Sequence, residues 1–188
     1  MNRALNVVGL DPSLRNWGIS KGTLDLSTGK LIIHQVSVVS PVLTTGKQVR
    51  QNSLDLESAK QLCFSTREAV VGAQAIFVEV PVGSQSARAM ASYGICVGIL
   101  GSIRASGIPF FEVTPNEVKL STVGKKTATK QEMIAWATTR HPEANWPTYK
   151  QNGVVRITEA KAEHMADATC AIYAGINTNE FKQLISFL

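Results

Sequence analysis

Cysteine is scarce in this sequence, and the spacing of the few cysteines excludes the sites that cysteine usually builds. The three cysteines, Cys63, Cys96 and Cys170, lie far apart in apolar surroundings, and no C-x-x-C pair occurs. This pattern favours neither a disulfide framework nor a structural zinc site. We expect these residues to be small core side chains in a reducing compartment.

Long apolar runs are missing as well. No charged start followed by an apolar run marks a signal peptide, and every apolar stretch is interrupted well before it could span a bilayer. We therefore expect a soluble cytoplasmic protein with no membrane partner. It would associate with the nucleoid or, if it is viral, lie in the host cytoplasm.

Acidic residues are fewer than basic ones, so the formal net charge is +5 at pH 7. A positive balance favours a polyanionic partner, although so small an excess also occurs in proteins that never bind nucleic acid. The 188 residues, 44% of them hydrophobic, fit one domain spanning 1–188 with a substantial core.

The apolar periodicity predicts an α/β fold. An antiparallel meander is expected first, followed by helices that alternate with two short strands; the predicted strands are 5–10, 17–26, 31–39, 75–80 and 109–113, and the predicted long helices are 48–72, 84–105 and 158–175. Because a helical crossover precedes it, the strand at 75–80 should lie parallel to the first strand.

The remaining segments are connections and short helices. Two capping boxes, Thr114 with Glu117 and Thr129 with Glu132, predict helix starts, and the second of these helices ends before Pro142. Residues 141–157 read as a linker with no assigned helix or strand. The apolar tail 177–188 is expected to dock on the domain.

The helix at 84–105 carries Gly94, Gly98 and Gly101 along one side. Each interior glycine costs a helix about 1 kcal/mol relative to alanine, so close packing is the expected compensation. The glycine face is either an internal contact or the seam of a dimer.

Acidic residues stand where a core would not favour them. Asp11 ends the first predicted strand, Glu79 ends the fourth, and a late helix carries Glu163, His164 and Asp167. If the two strands are parallel neighbours, Asp11 and Glu79 emerge at the same sheet edge. His164 and Asp167 are spaced i, i+3, and Glu163 and Asp167 are spaced i, i+4, so either pair can share a helix face.

Clustered carboxylates repel each other unless protons or cations neutralise them, and oxygen ligands with at most one imidazole suit Mg²⁺ or Mn²⁺. Two such ions about 4 Å apart are a standard device for phosphodiester hydrolysis. Each residue taken alone has another explanation: Asp11 could cap its turn, Glu79 could pair with a lysine, Asp167 could solvate a helix, and His164 could be structural. Their joint occurrence favours a metal site.

Basic residues concentrate around the loop 121–129, and they are Lys119, Lys125, Lys126 and Lys130. The lysines alternate with hydroxyl side chains and glycine, which suits contacts to phosphate. The alternative is a solvated lysine-rich loop. Arg88 and Arg104 are further candidates for the same surface.

With these residues in place, the chain resembles the RuvC family of Holliday-junction resolvases, within the RNase H-like (retroviral integrase) superfamily. The resemblance runs from about Val7 to Gly175. It is carried by GLDPS at 9–13, IFVEV at 76–80, TPNEVKLSTVGKKTATKQEM at 114–133 and HMADATCAIYAG at 164–175.

The resemblance implies an RNase H-like five-stranded mixed sheet, three antiparallel strands followed by two parallel ones, flanked by helices. It also implies a homodimer that nicks four-way DNA junctions in pairs, with two Mg²⁺ or Mn²⁺ ions per active site. Matched position by position, the catalytic acids or their equivalents fall on Asp11, Glu79, His164 and Asp167, with Glu163 as an alternative ligand. The functional lysines fall on Lys119 and Lys130, and Lys125, Lys126 and Arg88 are the predicted DNA contacts.

The sequence departs from the family directly after Glu79, where Val80, Pro81 and Val82 replace an aromatic wedge. A less selective nuclease for flaps and forks is therefore kept as an alternative, as is a junction-binding protein without activity. A nucleotide-binding fold of the actin and sugar-kinase type is disfavoured, because the chain is short and the turn after Asp11 lacks a glycine-rich phosphate cradle.

Overall fold

A computed structural model describes residues 4–44, 46 and 49–187. The main sheet has five strands in the order β3-β2-β1-β4-β5; they are β1 (Ala4–Asp11), β2 (Trp17–Asp25), β3 (Leu31–Val39), β4 (Ala75–Glu79) and β5 (Phe110–Val113). β1, β2 and β3 pair antiparallel, whereas β4 is parallel to β1 and β5 is parallel to β4. The predicted five-stranded mixed sheet is confirmed.

In the described residues, six helices accompany this sheet, namely α1 (Gln51–Ala69), α2 (Ala87–Arg104), α3 (Pro115–Thr122), α4 (Lys130–Arg140), α5 (Glu159–Gly175) and α6 (Asn179–Ser186). Both predicted capping boxes are confirmed at the starts of α3 and α4. The predicted start of the first helix at residue 48 lies outside the described residues. No helix in the described part of the chain is long and apolar enough to cross a membrane.

The two faces of the sheet carry separate apolar layers. Leu62 of α1 and Ile99 of α2 pack with Leu10 on one face, whereas Ile172 of α5 packs with Phe77 on the other. Phe181 of α6 is 1% exposed and meets the Phe77 ring edge-on, with ring centroids 5.2 Å apart. The predicted docking of the C-terminal tail is thus confirmed.

Glycine at two positions of the sheet allows α5 to lie unusually close to it. A Cβ atom on Gly9 would sit 1.9 Å from the carbonyl oxygen of Ala168, and one on Gly18 would sit 2.0 Å from that of His164. Any other residue would push the helix away. Gly18 is also the register partner of Asp11, so the same contact brings His164 to the end of β1.

Residues 141–157, which the sequence pattern leaves without an assigned helix or strand, are more than a linker. This segment contains a β-hairpin formed by β6 (Thr148–Gln151) and β7 (Val154–Ile157), which constitutes a second, two-stranded sheet. Its turn is Asn152–Gly153, both with positive φ angles, 50° and 77°. Asn-Gly is the strongest short-range sequence mark of such a turn, so the hairpin was detectable from the sequence.

The chain before the hairpin covers the outer edge of β3. Asn145 Oδ1 accepts a hydrogen bond from the backbone N–H of Val36 at 2.7 Å, and its Nδ2 donates to the Val36 carbonyl at 3.0 Å. Glu143 accepts a further bond from the backbone N–H of Ile33 at 3.3 Å. These bonds satisfy groups that an open sheet edge would leave unpaired.

The glycine face of α2 is not an internal contact, which excludes one of its two predicted roles. A Cβ atom at Gly94, Gly98 or Gly101 would meet nothing within 4 Å. The predicted core role of the cysteines holds for Cys96 and Cys170, which are buried, while Cys63 is only partly buried; all three are free thiols.

Candidate active site

The ends of two strands and the middle of α5 bring four of the predicted site residues together. Leu10 of β1 pairs in parallel register with Val78 of β4, so Asp11 and Glu79 follow at the same sheet edge. α5 crosses that edge and contributes His164 and Asp167. The charges of Asp11 and Asp167 both act on Glu79, which places the three carboxylates within electrostatic reach of one another.

Asp11 and His164 form the closest contact in this cluster. The Nδ1 atom of His164 lies 2.8 Å from Oδ2 of Asp11, and the side chains are only 19% and 15% exposed, respectively. The hydrogen bond to Asp11 raises the pKa of His164. Burial raises the pKa of Asp11 despite the opposing effect of His164, because removal of a carboxylate from water outweighs one partner here.

Among the residues that the structure describes, none forms a comparable hydrogen bond with the carboxyl groups of Glu79 and Asp167. Burial, together with the charges of Asp11 and Asp167, raises the pKa of Glu79 to about 8. Burial and the charges of Asp11 and Glu163 raise the pKa of Asp167 to about 7. The positive charge of Lys119 opposes both shifts. The metal-free cluster therefore holds protons near neutral pH, which is the electrostatic signature of a site short of positive charge.

Glu163 is paired with Lys130, although its charge also acts on Asp11 and Asp167. The Lys130 ammonium donates to Oε1 of Glu163 at 2.6 Å, and this contact raises the pKa of Lys130. The two adjacent candidate ligands therefore have different partners, His164 with Asp11 and Glu163 with Lys130.

Comparisons with known proteins agree with this architecture. No family model and no curated protein matches the sequence. The solved structure of Thermus thermophilus RuvC in complex with a Holliday junction substrate matches with a TM-score of 0.64 and 18% identity, over 90% of this chain and 92% of that one. The chain has the RuvC fold.

Two further structures support the RuvC fold. Another Thermus thermophilus RuvC structure matches with a TM-score of 0.62 and 18% identity, covering 96% of both chains. The yeast mitochondrial Holliday junction resolvase Ydc2 matches with a TM-score of 0.57 and 15% identity, over 96% of this chain and 83% of that one. The predicted resemblance is thereby confirmed at the level of the fold.

The lysines predicted to act on DNA differ from one another in their surroundings within this RuvC fold. Lys119 acts electrostatically on Glu79 and Asp167, so it belongs to the acid cluster. Lys126 is exposed on the loop between α3 and α4, whereas Lys125 is ion-paired with Glu132 on α4.

Both candidate arginines are also paired. Arg88 binds Asp55 in a bidentate fashion, with Nη–Oδ distances of 2.5 and 2.6 Å, and this pair ties α2 to α1. Arg88 lines a cleft of about 580 Å³, whose lining also includes Ser13 in the turn that follows Asp11. Arg104 pairs with Glu112 at 2.5 Å.

The donor chemistry of this RuvC-fold site fits divalent cations. Three carboxylates and one imidazole are ligands that Mg²⁺ and Mn²⁺ accept. Among the described residues, however, no three His, Cys, Asp or Glu side chains are positioned to hold one ion. A divalent ion held by these residues would therefore have to compete with the His164–Asp11 hydrogen bond and release protons from Glu79 and Asp167.

The thiols of Cys96 and Cys170 border the acid cluster. The sequence pattern predicted neither this position nor the close contacts of Gly9 and Gly18 with α5. Burial and the charge of Asp11 raise the pKa of Cys96 to about 12, and burial with the charge of Asp167 raises that of Cys170. Both thiols therefore stay protonated and line the site as small apolar groups. The i, i+3 spacing of Asp167 and Cys170 was the available sequence mark.

Proposed function

We propose that this protein is a divalent-metal-dependent DNA endonuclease that resolves four-way junctions by paired nicking. The observation that carries the proposal is the buried cluster of Asp11, Glu79, His164 and Asp167, in which the pKa of Glu79 is raised to about 8. A related fold has been solved bound to Holliday junction DNA. The proposed substrate implies a protein of the cytoplasm, acting on nucleoid DNA or on viral DNA in a host.

Asp11, Glu79, His164 and Asp167 would hold two Mg²⁺ or Mn²⁺ ions, with Glu163 as the alternative to His164. When bound, these ions activate a water molecule and stabilise the leaving oxygen of the phosphodiester. The closeness of α5 to β1 and β2 fixes the donors in position, since Gly9 and Gly18 leave no slack between helix and sheet.

Lys119 and Lys130 would support the phosphate. The charge of Lys119 acts on Glu79 and Asp167, which supports a role for Lys119 in stabilising negative charge on the scissile phosphate. In its proposed role, the Lys130 ammonium would leave Glu163, its partner in this structure, and bind the DNA phosphate instead. Lys125, Lys126 and Arg88 are the proposed contacts to the DNA backbone beyond the site.

A homodimer would relate two such sites by a two-fold axis, which matches the two-fold symmetry of a four-way junction. The exposed glycine face of α2 supports this part of the proposal, because it is flanked by Met90 and Val97, 47% and 48% exposed. Close approach of a second α2 would compensate for the helix-weakening glycines.

A nuclease acting on flaps and forks is the second candidate. The specific observation in its favour is the turn after Glu79, where Val82 is 75% exposed and no aromatic side chain follows the acid. A panel of labelled four-way junction, fork, flap and duplex substrates in Mg²⁺ separates the two candidates, since only a resolvase prefers the junction and cuts it symmetrically.

The catalytic part of the proposal is tested by comparing Asp11→Asn with Asp25→Asn. Asp25 also ends a strand, but its carboxylate accepts hydrogen bonds only within an exposed turn, from the Ser27 hydroxyl and from the backbone N–H groups of Ser27 and Thr28. We expect Asp11→Asn to lose at least about 100-fold in nicking rate, as removal of electrostatic machinery typically costs, and Asp25→Asn to match the wild type.

A wild-type nicking rate in Asp11→Asn would refute the catalytic proposal. Junction binding without nicking by the wild type, in either Mg²⁺ or Mn²⁺, would instead identify a DNA-binding protein without activity.

A further inference from the structure

The β6–β7 hairpin is exposed on both faces. Tyr149, Val154 and Val155 are 46%, 57% and 60% exposed. Within the described chain, neither strand packs extensively against another helix or strand. A lone two-stranded hairpin of this length is marginally stable in water, so a partner that covers it would stabilise it.

The side chains of the hairpin are complementary to a polyanion. Tyr149 lies opposite Arg156 on one face, and Lys150 lies opposite Val155 on the other. Each face thus combines one cation with an aromatic or aliphatic group, and residues 148–157 contain no aspartate or glutamate. Proteins commonly bind the phosphates and sugars of nucleic acids with cationic side chains that alternate with apolar ones.

A groove lies between the hairpin and α4, the helix that begins at Lys130. It encloses about 390 Å³ between the hairpin and α4, and its lining includes Gln131, Thr138, Tyr149 and Arg156, with Glu159 as its one acid. Gln131 directly follows Lys130, which is bound to Glu163 beside His164. The groove lining thus includes the chain neighbour of the lysine that is paired with Glu163.

The chain connection also relates the hairpin to the candidate active site. β7 ends at Ile157, two residues before the first residue of α5, Glu159. At 1.5 Å per residue, His164 follows about 8 Å further along the helix. DNA whose scissile phosphate lies at the acids would therefore pass the hairpin.

We propose that the β6–β7 hairpin is an arm that grips a duplex arm of branched DNA next to the cleavage site. Arg156 in the groove and Lys150 on the outer face bind phosphates, while Tyr149 packs on the sugar backbone. The inference rests on the proposed function and adds a DNA-contacting element to it. Four residues per strand span about 13 Å, comparable to the major-groove width of about 12 Å.

The test is junction binding at several salt concentrations in the absence of divalent ions, with the double variant Lys150→Ala/Arg156→Ala. Log affinity falls linearly with log salt concentration, and loss of two phosphate contacts should make this negative slope shallower by about 2. Affinity at moderate salt should fall by about 10-fold. Thermal melting should be unchanged, since both side chains are exposed.

The matched control is Lys60→Ala/Arg67→Ala, which removes the same two residue types from exposed positions of α1, on the opposite face of the sheet from α5. This variant should bind like the wild type. Tyr149→Phe should also retain affinity, while Tyr149→Ala should weaken it several-fold.

Two outcomes overturn the inference and leave the proposed function standing. One is wild-type affinity and salt slope in the hairpin variant while the wild type binds and nicks junctions. The other is an equal loss in hairpin and control variants, which would indicate a general charge effect. A wild-type protein that binds no junction DNA overturns both proposals.

Discussion

Glu79→Gln should make the stability of the metal-free protein less dependent on pH. The pKa of Glu79 is raised from its ordinary value of 4.5 to about 8 by burial and by the charges of Asp11 and Asp167. The unfolded chain releases this proton above pH 4.5, whereas the folded protein holds it up to about pH 8. Unfolding is therefore increasingly favoured as the pH rises through that window.

Each pH unit within the window costs the folded state about 1.4 kcal/mol, so the Glu79 contribution changes by about 3 kcal/mol between pH 5 and pH 7. Glutamine has nearly the shape of the protonated acid and carries no charge, so the variant lacks this contribution. The wild type has the pH-dependent contribution of Glu79. Asp11 and Asp167, whose pKa values are also raised, contribute to the pH dependence of both proteins.

Urea unfolding in EDTA at pH 5, 6, 7 and 8 measures the effect. The free energy of unfolding of the wild type should fall more steeply with pH than that of Glu79→Gln. Glu57→Gln is the control, because contacts with Gln61 and Lys60 lower the pKa of Glu57 and its titration lies below this window. Parallel curves for the wild type and Glu79→Gln would refute the buried, charge-coupled cluster.

Three other substitutions test separate parts of the account. Gly18→Ala places a Cβ 2.0 Å from the His164 carbonyl oxygen, so it should cost about 1–3 kcal/mol in urea unfolding and about 100-fold in nicking; wild-type values would contradict the close approach. Lys119→Met should raise the pKa of Glu79 further and move the pH profile of nicking upwards; an unshifted profile would remove Lys119 from the site. Val97→Glu should yield monomers in sedimentation without loss of folding, and an intact dimer would exclude the α2 seam.

The sheet and the helix starts were predictable because their determinants are local. Alternating apolar residues define β1 to β3, and the capping pairs of Thr114 and Thr129 mark the helix starts. The parallel placement of β4 beside β1 follows from the helical crossover. These features together predicted that Asp11 and Glu79 emerge at one edge.

The finer arrangement of the site depends on long-range contacts that periodicity does not encode. Helical spacing allowed either Glu163 or His164 to face Asp11. The contact between Gly18 and α5 places His164 there and leaves Glu163 to Lys130. The protonation of Glu79 likewise depends on burial that only the packed helix creates.

The glycine face of α2 and the β6–β7 hairpin show two other limits. Small residues at regular spacing predict close packing, but they do not identify the partner, and the internal contact considered for Gly98 does not exist. Apolar periodicity does not predict the hairpin, because its strands are short and exposed and therefore lack a buried alternating face. Asn152–Gly153 remained as its only strong local mark.

The most direct test of the central claim is cleavage of a supercoiled plasmid that extrudes a cruciform, in Mg²⁺, by the wild type and by Asp11→Asn. Two nicks made across the junction within one binding event linearise the plasmid. We predict linear product with the wild type and intact supercoiled plasmid with Asp11→Asn. Nicked circles alone, no cleavage by the wild type, or equal cleavage by Asp11→Asn would contradict paired, metal-dependent resolution at this acid cluster.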